Sequence, residues 1–233
     1  MSKQGEWFGV YSGLGSIDRV RRGMALTLLL LCPSALLANP TGGTAVVGSA
    51  TITTSGTTLN VNTGTNQTIL DWTHFGIDAG ETTNINQPNS SSTTLNRVTG
   101  GNISAIYGTL NSNGSVILIN PNGVLIGAGG VVNTQSFTAS TLDLSNSDFL
   151  AGGAQHFTGT SAATVVNLGQ ITASGGDIFL IARHVSNSGS LTATNGTVGL
   201  AAGTDVTLQA AGTTGQRLSV SLDSAGLVRD GTA

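Results

Sequence analysis

Two segments toward the C-terminal end, NLGQITASGGDIFLIA (Asn167–Ala182) and NSGSLTATNGTVGLAA (Asn187–Ala202), superimpose at a spacing of 20. Asn, Gly, Thr, Ala, Gly, Leu and Ala coincide, and Ile171/Leu191 and Ile178/Val198 are conservative exchanges. An approximate third copy, YGTLNSNGSVILIN (Tyr107–Asn120), has one residue fewer between Leu110 and Val116. A unit of about 20 residues cannot bury its own apolar side, so it must stack on its neighbours. Stacking joins the short strands of successive coils into parallel sheets with a rise of about 4.8 Å per coil. Residues 39–233 would then form about nine coils. Asn at recurring corners suits such a stack, because its amide can bond to the coils above and below. A β-sandwich also uses many short strands, but it predicts turn spacing without a 20-residue identity pattern and ranks second.

The remaining composition agrees with a chain of strands. Charged residues make up 8% of the 233 positions, while 34 are glycine and 39% are hydrophobic. That apolar share argues against disorder despite the Gly, Ser and Thr content. Helical periodicity is nearly absent after residue 39; apolar residues alternate or come in runs of two to four, punctuated by Gly or Asn.

The first 38 residues read differently. Arg19, Arg21 and Arg22 precede the apolar run Ala25–Leu31 and then CPSALLA before Asn39. This is the layout of a secretory signal peptide with cleavage between Ala38 and Asn39. The apolar run is shorter than the ~20 residues that a spanning helix needs. Residues 1–18 make the leader an extended one. Cleavage removes Cys32, the only cysteine, and Lys3, the only lysine. The mature chain keeps four arginines against nine acids, a net charge of −5. It offers no basic patch for nucleic acid, and without disulfides it depends on burial and hydrogen bonds.

INPNGVLIG (Ile119–Gly127) is a turn signal between the apolar runs Val116–Ile119 and Val124–Ile126. Asn120 can fold back on the backbone, Pro121 presets φ, and Asn122 and Gly123 tolerate unusual dihedrals. It reads as a tight corner between two buried strands. Upstream stand an Asn-Gln-Pro stretch (Asn86–Pro88) and a Leu-Asn-Arg-Val stretch (Leu95–Val98), and downstream TASTLDLSNSDFLAG (Thr138–Gly152). Four signatures in this order resemble the filamentous-haemagglutinin-type two-partner secretion domain, which carries the haemagglutination-activity region; the resemblance covers most of residues 39–152.

The resemblance implies an all-β, right-handed, single-stranded parallel β-helix. An N-terminal cap is needed to protect its first strand edge, for which Asn39–Ser49 is the natural segment. Residues 39–152 would be the secretion-domain core, and residues 153–233 further coils opening a truncated repeat region. The partner would be a cognate outer-membrane transporter barrel with periplasmic recognition domains. The route would be Sec export, then passage across the outer membrane of a Gram-negative cell to its surface or the medium. A monomer is expected, with a host-cell surface as a further partner through downstream regions of an adhesin, haemagglutinin or haemolysin-like parent. Asn86, Gln87, Pro88, Asn96, Arg97, Asn120, Pro121, Asn122 and Gly123, the exposed Asn/Pro corners and the region around them, are carried over as residues that the transporter recognises or that fix the corner geometry.

No residue set calls for a metal, a cofactor or catalysis. Asp71, His74, Asp78 and Glu81, around Trp72 and Phe75, form the one local titratable group, and polar positions on the outside of a strand–turn region account for them. β-Helical polysaccharide-degrading enzymes line a groove with carboxylates on adjacent coils, whereas the repeats here put Asp177 opposite Thr197. That enzyme class and a stand-alone glycan-binding adhesive module remain the alternatives. N-terminal sequencing of the exported protein is expected to begin at Asn39; a start displaced by more than a few residues would refute the assigned cut.

Overall fold

The computed structural model describes residues 39–209, 218–221 and 227–230; the expected leader and Ala38 lie outside them. Strands account for 56% and helix for 3% of the structure, arranged as a parallel β-solenoid of about seven turns. The chain opens with β1 (Thr44–Val47) and β2 (Ala50–Ser55), followed by β3 (Thr58–Thr63), β4 (Gln67–Trp72), β5 (Thr82–Asn86) and β6 (Thr93–Val98). β1 runs antiparallel to β4, and β2 antiparallel to β3, before parallel stacking begins with β3 on β5 and β4 on β6. The antiparallel pieces form the N-terminal cap. It extends past Ser49 through β2, which ends at Ser55 and pairs antiparallel with β3 across the turn at Gly56 (φ 57°).

Regular coils follow, each contributing one strand to each of three sheets. β7 (Ser104–Ile106), β8 (Thr109–Ser112) and β9 (Ser115–Ile119) form one; β10 (Val124–Ile126), β11 (Val131–Thr134) and β12 (Ser136–Ser140) form the next. The chain then leaves the stack through β13 (Asp143–Leu144), helix α1 (Asn146–Ala151) and β14 (Gln155–Thr158). It re-enters with β15 (Thr164–Asn167), β16 (Gln170–Ala173) and β17 (Ile178–Ala182), then β18 (His184–Asn187), β19 (Ser190–Ala193) and β20 (Val198–Ala202). A second excursion, β21 (Asp205–Leu208) and β22 (Leu218–Ser221), precedes β23 (Leu227–Asp230).

Sheet I therefore runs β1-β4-β6-β9-β12-β17-β20, sheet II β2-β3-β5-β8-β11-β16-β19, and sheet III β7-β10-β15-β18-β23. The excursions pair with each other as antiparallel sheet IV, β13-β14-β21-β22. The sequence repeat maps onto this register: Ile171 pairs with Leu191 and Ile178 with Val198. Leu110, from the third copy, reaches Ile171 through Val132. Seven coils form rather than nine because the excursions consume chain and the early coils are longer. Phe137, for example, pairs with Ile178 across the first excursion.

Burial explains the excursions. The inner faces of sheets I, II and III enclose the main core, including Trp72, Phe75, Leu118, Phe137 and Leu180. Sheet I has a second apolar face, with Ile69, Leu95, Ile117, Phe179 and Ile181 pointing outward. Sheet IV and α1 cover that face with Leu144, Phe149, Phe157 and Val206. Strands buried on both sides need near-continuous apolar runs, which is why β9 reads SVILI and β17 IFLIA. Helix α1 is capped at Ser145, whose hydroxyl accepts from Asp148 N (3.1 Å), and is ended by left-handed Gly152.

Candidate functional site

The corner at Ile119–Gly123 moves the chain from sheet I to sheet III within four residues. Gly123 N donates to Asn120 O (3.0 Å), closing the turn, and Gly123 takes φ 120°, a conformation that favours glycine. The Asn120 side chain is fully buried. Its amide nitrogen donates to Asn102 O and Ser104 Oγ, both at 2.9 Å, while its carbonyl accepts from Asn122 N (2.9 Å) and Asn122 Nδ2 (3.1 Å). Asn120 N donates to Ser140 O on the following coil (2.9 Å), and Asn122 Nδ2 donates to Gly100 O (2.8 Å). One residue thus ties its own coil to the coils on both sides. Pro121 is exposed, and its carbonyl accepts from Ser161 Oγ as the first excursion returns (2.6 Å).

The Asn-Gln-Pro corner works similarly. Asn86 Nδ2 donates to Asn62 Oδ1 on the preceding coil (2.9 Å). Gln87, 6% exposed, reaches the following coil: its backbone N donates to Asn113 Oδ1 (2.7 Å), and Nε2 donates to Ser112 Oγ (3.0 Å) and Ser115 O (2.9 Å). Asn113 Nδ2 donates back to Gln87 O (2.8 Å). Pro88 is exposed.

Within β6 the Leu-Asn-Arg-Val residues alternate between the two cores. Asn96 points inward and is fully buried, accepting from Trp72 Nε1 (3.1 Å) and donating to Thr94 Oγ1 (3.1 Å). Arg97 points outward beneath the first excursion. Its Nε donates to Asp143 Oδ1 (2.9 Å), its Nη2 to Leu144 O (2.8 Å) and Asn146 Oδ1 (3.1 Å), and Nη1 lies 3.5 Å from Asp71 Oδ1. The guanidinium fork fastens β13 and the start of α1 to sheet I.

These positions correct the expectation of exposed corners. Gln87, Asn96, Asn120 and Gly123 are buried; only Asn86, Pro88 and Pro121 face solvent, with Arg97 and Asn122 half-buried. Arg97, Pro121 and Asn122 come together along a groove of about 750 Å³ with Ile103, Asp143 and Ala163, whereas Asn86 and Pro88 do not line it. Sequence reasoning missed the partners that make the corners, Asn102, Ser104, Asn113 and Ser140, because nothing local marks a residue bonded a coil away.

The titratable group does not converge. Asp71 faces Arg97, His74 accepts at its backbone oxygen from Thr41 N (2.9 Å), and Asp78 and Glu81 share a turn in which Glu81 N donates to Asp78 O (3.0 Å). Among the described residues no group of three or more His, Cys, Asp or Glu could hold a metal ion. Burial, and then the nearby Asp78 charge, raise the Glu81 pKa above the ordinary 4.5, against a smaller lowering by the Asp78 backbone.

Two predictions follow from this geometry. Asn120→Ala strands buried polar groups on two coils and is expected to lower the unfolding free energy by about 2–4 kcal/mol, whereas exposed Pro121→Ala costs about 1 kcal/mol or less; urea titration separates them. A carboxyl whose folded pKa is raised disfavours folding once ionised, so stability is fully present below pH 4.5 and falls as pH rises through the higher folded value. Glu81→Gln should remove that loss, raising the melting temperature at pH 7 and leaving it unchanged near pH 3.5.

Comparison with known proteins agrees with this geometry. The profile of the TPS secretion domain matches residues 37–231. A Haemophilus influenzae heme/hemopexin-binding protein is 37% identical over 176 residues, which cover 72% of this chain but 19% of that protein. The crystal structure of the HMW1 secretion domain from Haemophilus influenzae superimposes with a TM-score of 0.69 at 34% identity, covering 80% of this chain and 49% of that one. The filamentous hemagglutinin secretion domain shares the fold, with a TM-score of 0.57 at 16% identity over 81% of this chain and 74% of that one. The chain belongs to the TPS secretion domain family of two-partner secreted exoproteins.

Proposed function

We propose that this domain is the export signal of its parent exoprotein, read by the periplasmic domains of a cognate outer-membrane transporter while the chain is still unfolded. The supporting observation is the burial of Gln87, Asn96 and Asn120 at coil-to-coil joints. Side chains in such joints are accessible to a partner only before folding. Once the solenoid forms outside the cell, the same side chains pass from the transporter to neighbouring coils, and the chain is released.

The architecture suits vectorial folding. The antiparallel cap closes the first edge, and each later coil gains backbone bonds and apolar contact from the one before it. Residues 39–233 contain no cysteine, so no disulfide can form within them in an oxidising periplasm before transit. The matched region is about a fifth of the heme/hemopexin-binding relative's length. An adhesin, haemagglutinin or haemolysin-like activity, and contact with a host surface, would reside in the remainder of such a parent.

The test is co-expression with the cognate transporter, comparing periplasmic and released protein. The Asn120→Ala/Pro121→Ala double variant should accumulate in the periplasm, and Pro121→Ala alone should show the same trend without a matching loss of stability. Normal release of the double variant would refute the reading.

A further inference from the structure

The outer face of sheet II carries a two-dimensional grid of hydroxyls and amides. Thr-x-Asn-x-Asn occurs three times on adjacent coils, as Thr58–Asn62, Thr82–Asn86 and Thr109–Asn113. Register aligns these segments: Thr58 pairs with Thr82 and Thr82 with Thr109, while Asn60, Asn84, Asn111 and Asn133 stand in one column. The second column continues through Thr172 and Thr192, and Thr53 of the cap begins it.

The asparagines bond along the stack, Asn84 to Asn60 (3.0 Å), Asn111 to Asn84 (3.1 Å) and Asn133 to Asn111 (3.2 Å). Side-chain ladders of this kind hold a many-stranded sheet flat against its natural twist. The ladder spends one N–H of each donating amide and leaves the second outward. In the neighbouring column, the hydroxyls of Thr58, Thr82 and Thr109 bond to no protein group among the described residues, so nothing in the fold requires a hydroxyl there; the column continues through Val131, Gln170 and Ser190, so the threonine run spans three coils.

The grid spacing follows from strand geometry: about 4.8 Å between coils and about 6.6 Å between columns. The face is therefore rigid, open and repetitive, and its outward positions among the described residues carry neither charge nor aromatic ring. An ionic polymer finds no charge to pair with on it, and sugar rings find no aromatic platform. A second copy is also disfavoured. Seven strands by five residues present about 500 Å², below the roughly 800 Å² per partner of a stable complex. The complement of a flat, neutral, periodic array of donors, acceptors and Thr methyl groups is a flat, neutral lattice of hydroxyls, and the oxygen repeats on ice planes fall on this scale. We propose that the outer face of sheet II is an ice-binding surface that orders water along the Thr and Asn columns.

The purified chain should slow ice recrystallisation and partition into a slowly growing ice front. Thr82→Lys/Thr109→Lys, placing charge mid-grid, should abolish both effects while circular dichroism and melting remain native. Gln170→Lys, at an exposed position that the register joins to Thr109 through Val131, should weaken them if the double variant fails to fold. Leu125→Lys, on sheet III, should change nothing. Exclusion of the folded chain from ice, unchanged activity in the sheet II variants, or retention on crystalline cellulose or chitin without ice partitioning would each overturn the assignment.

Discussion

A parallel strand inside this stack keeps its backbone hydrogen bonds only while the coils on both sides stay in register with it. A slip of one residue would turn every inward side chain outward. The main core depends on that register, because Ile171, Ile178 and Leu180 stand in register with Leu191, Val198 and Leu200 of the next coil. Corners are where register is most easily lost, since the chain changes sheet there and strand pairing cannot guide it. The buried amides of Asn120 and Gln87 sit at such points and bond to adjacent coils, converting a loose turn into a fixed joint. In the folded domain the side chains of Asn120 and Gln87 are thus occupied by neighbouring coils.

The second constraint comes from sheet I. Its outward face is as apolar as its inward one, and a bare face of this kind would invite association. The two excursions exist to cover it, and sheet IV joins them across a long sequence interval through the pairing of β14 with β21. Arg97 supplies the polar anchor for this cover, while Phe149 and Phe157 supply the burial. Removing the excursions would expose the outward face of sheet I to solvent.

Much of this was legible in the sequence where the repeat is regular. Asn167–Ala202 carries two coils of equal length with no excursion between them, so identities align at a fixed offset and reveal the stack. The Asn60–Asn84–Asn111–Asn133 column escaped notice because loops of different length separate its members, although they are as closely registered as the late repeat. The excursions were hidden because Phe149 and Phe157 look like any other inward residues until a second core is known. Helix α1 did leave a local trace, Ser145 three residues before Asp148 with Gly152 closing, the usual pattern of a capped turn. Asn120–Gly123 form a turn as expected, whereas Asn96 and Arg97 lie within β6; Asn86, Pro88 and Pro121 are exposed but Gln87 and Asn120 are not, because an amide's burial depends on coils that are remote in sequence.

Parallel in-register stacking can be tested most directly by a cysteine pair, since the sequence has no cysteine after Cys32. Thr172 and Thr192 are register partners on β16 and β19, so their Cα atoms should lie about 4.8 Å apart, inside the range of about 4.4–6.8 Å that a disulfide spans. Thr172 and Thr194, two positions further on, should be roughly 8 Å apart. Under mild oxidation the Thr172→Cys/Thr192→Cys variant should close a disulfide within the monomer and Thr172→Cys/Thr194→Cys should not. Failure of the first pair, or equal closure of both, would contradict the stacked register on which the fold rests.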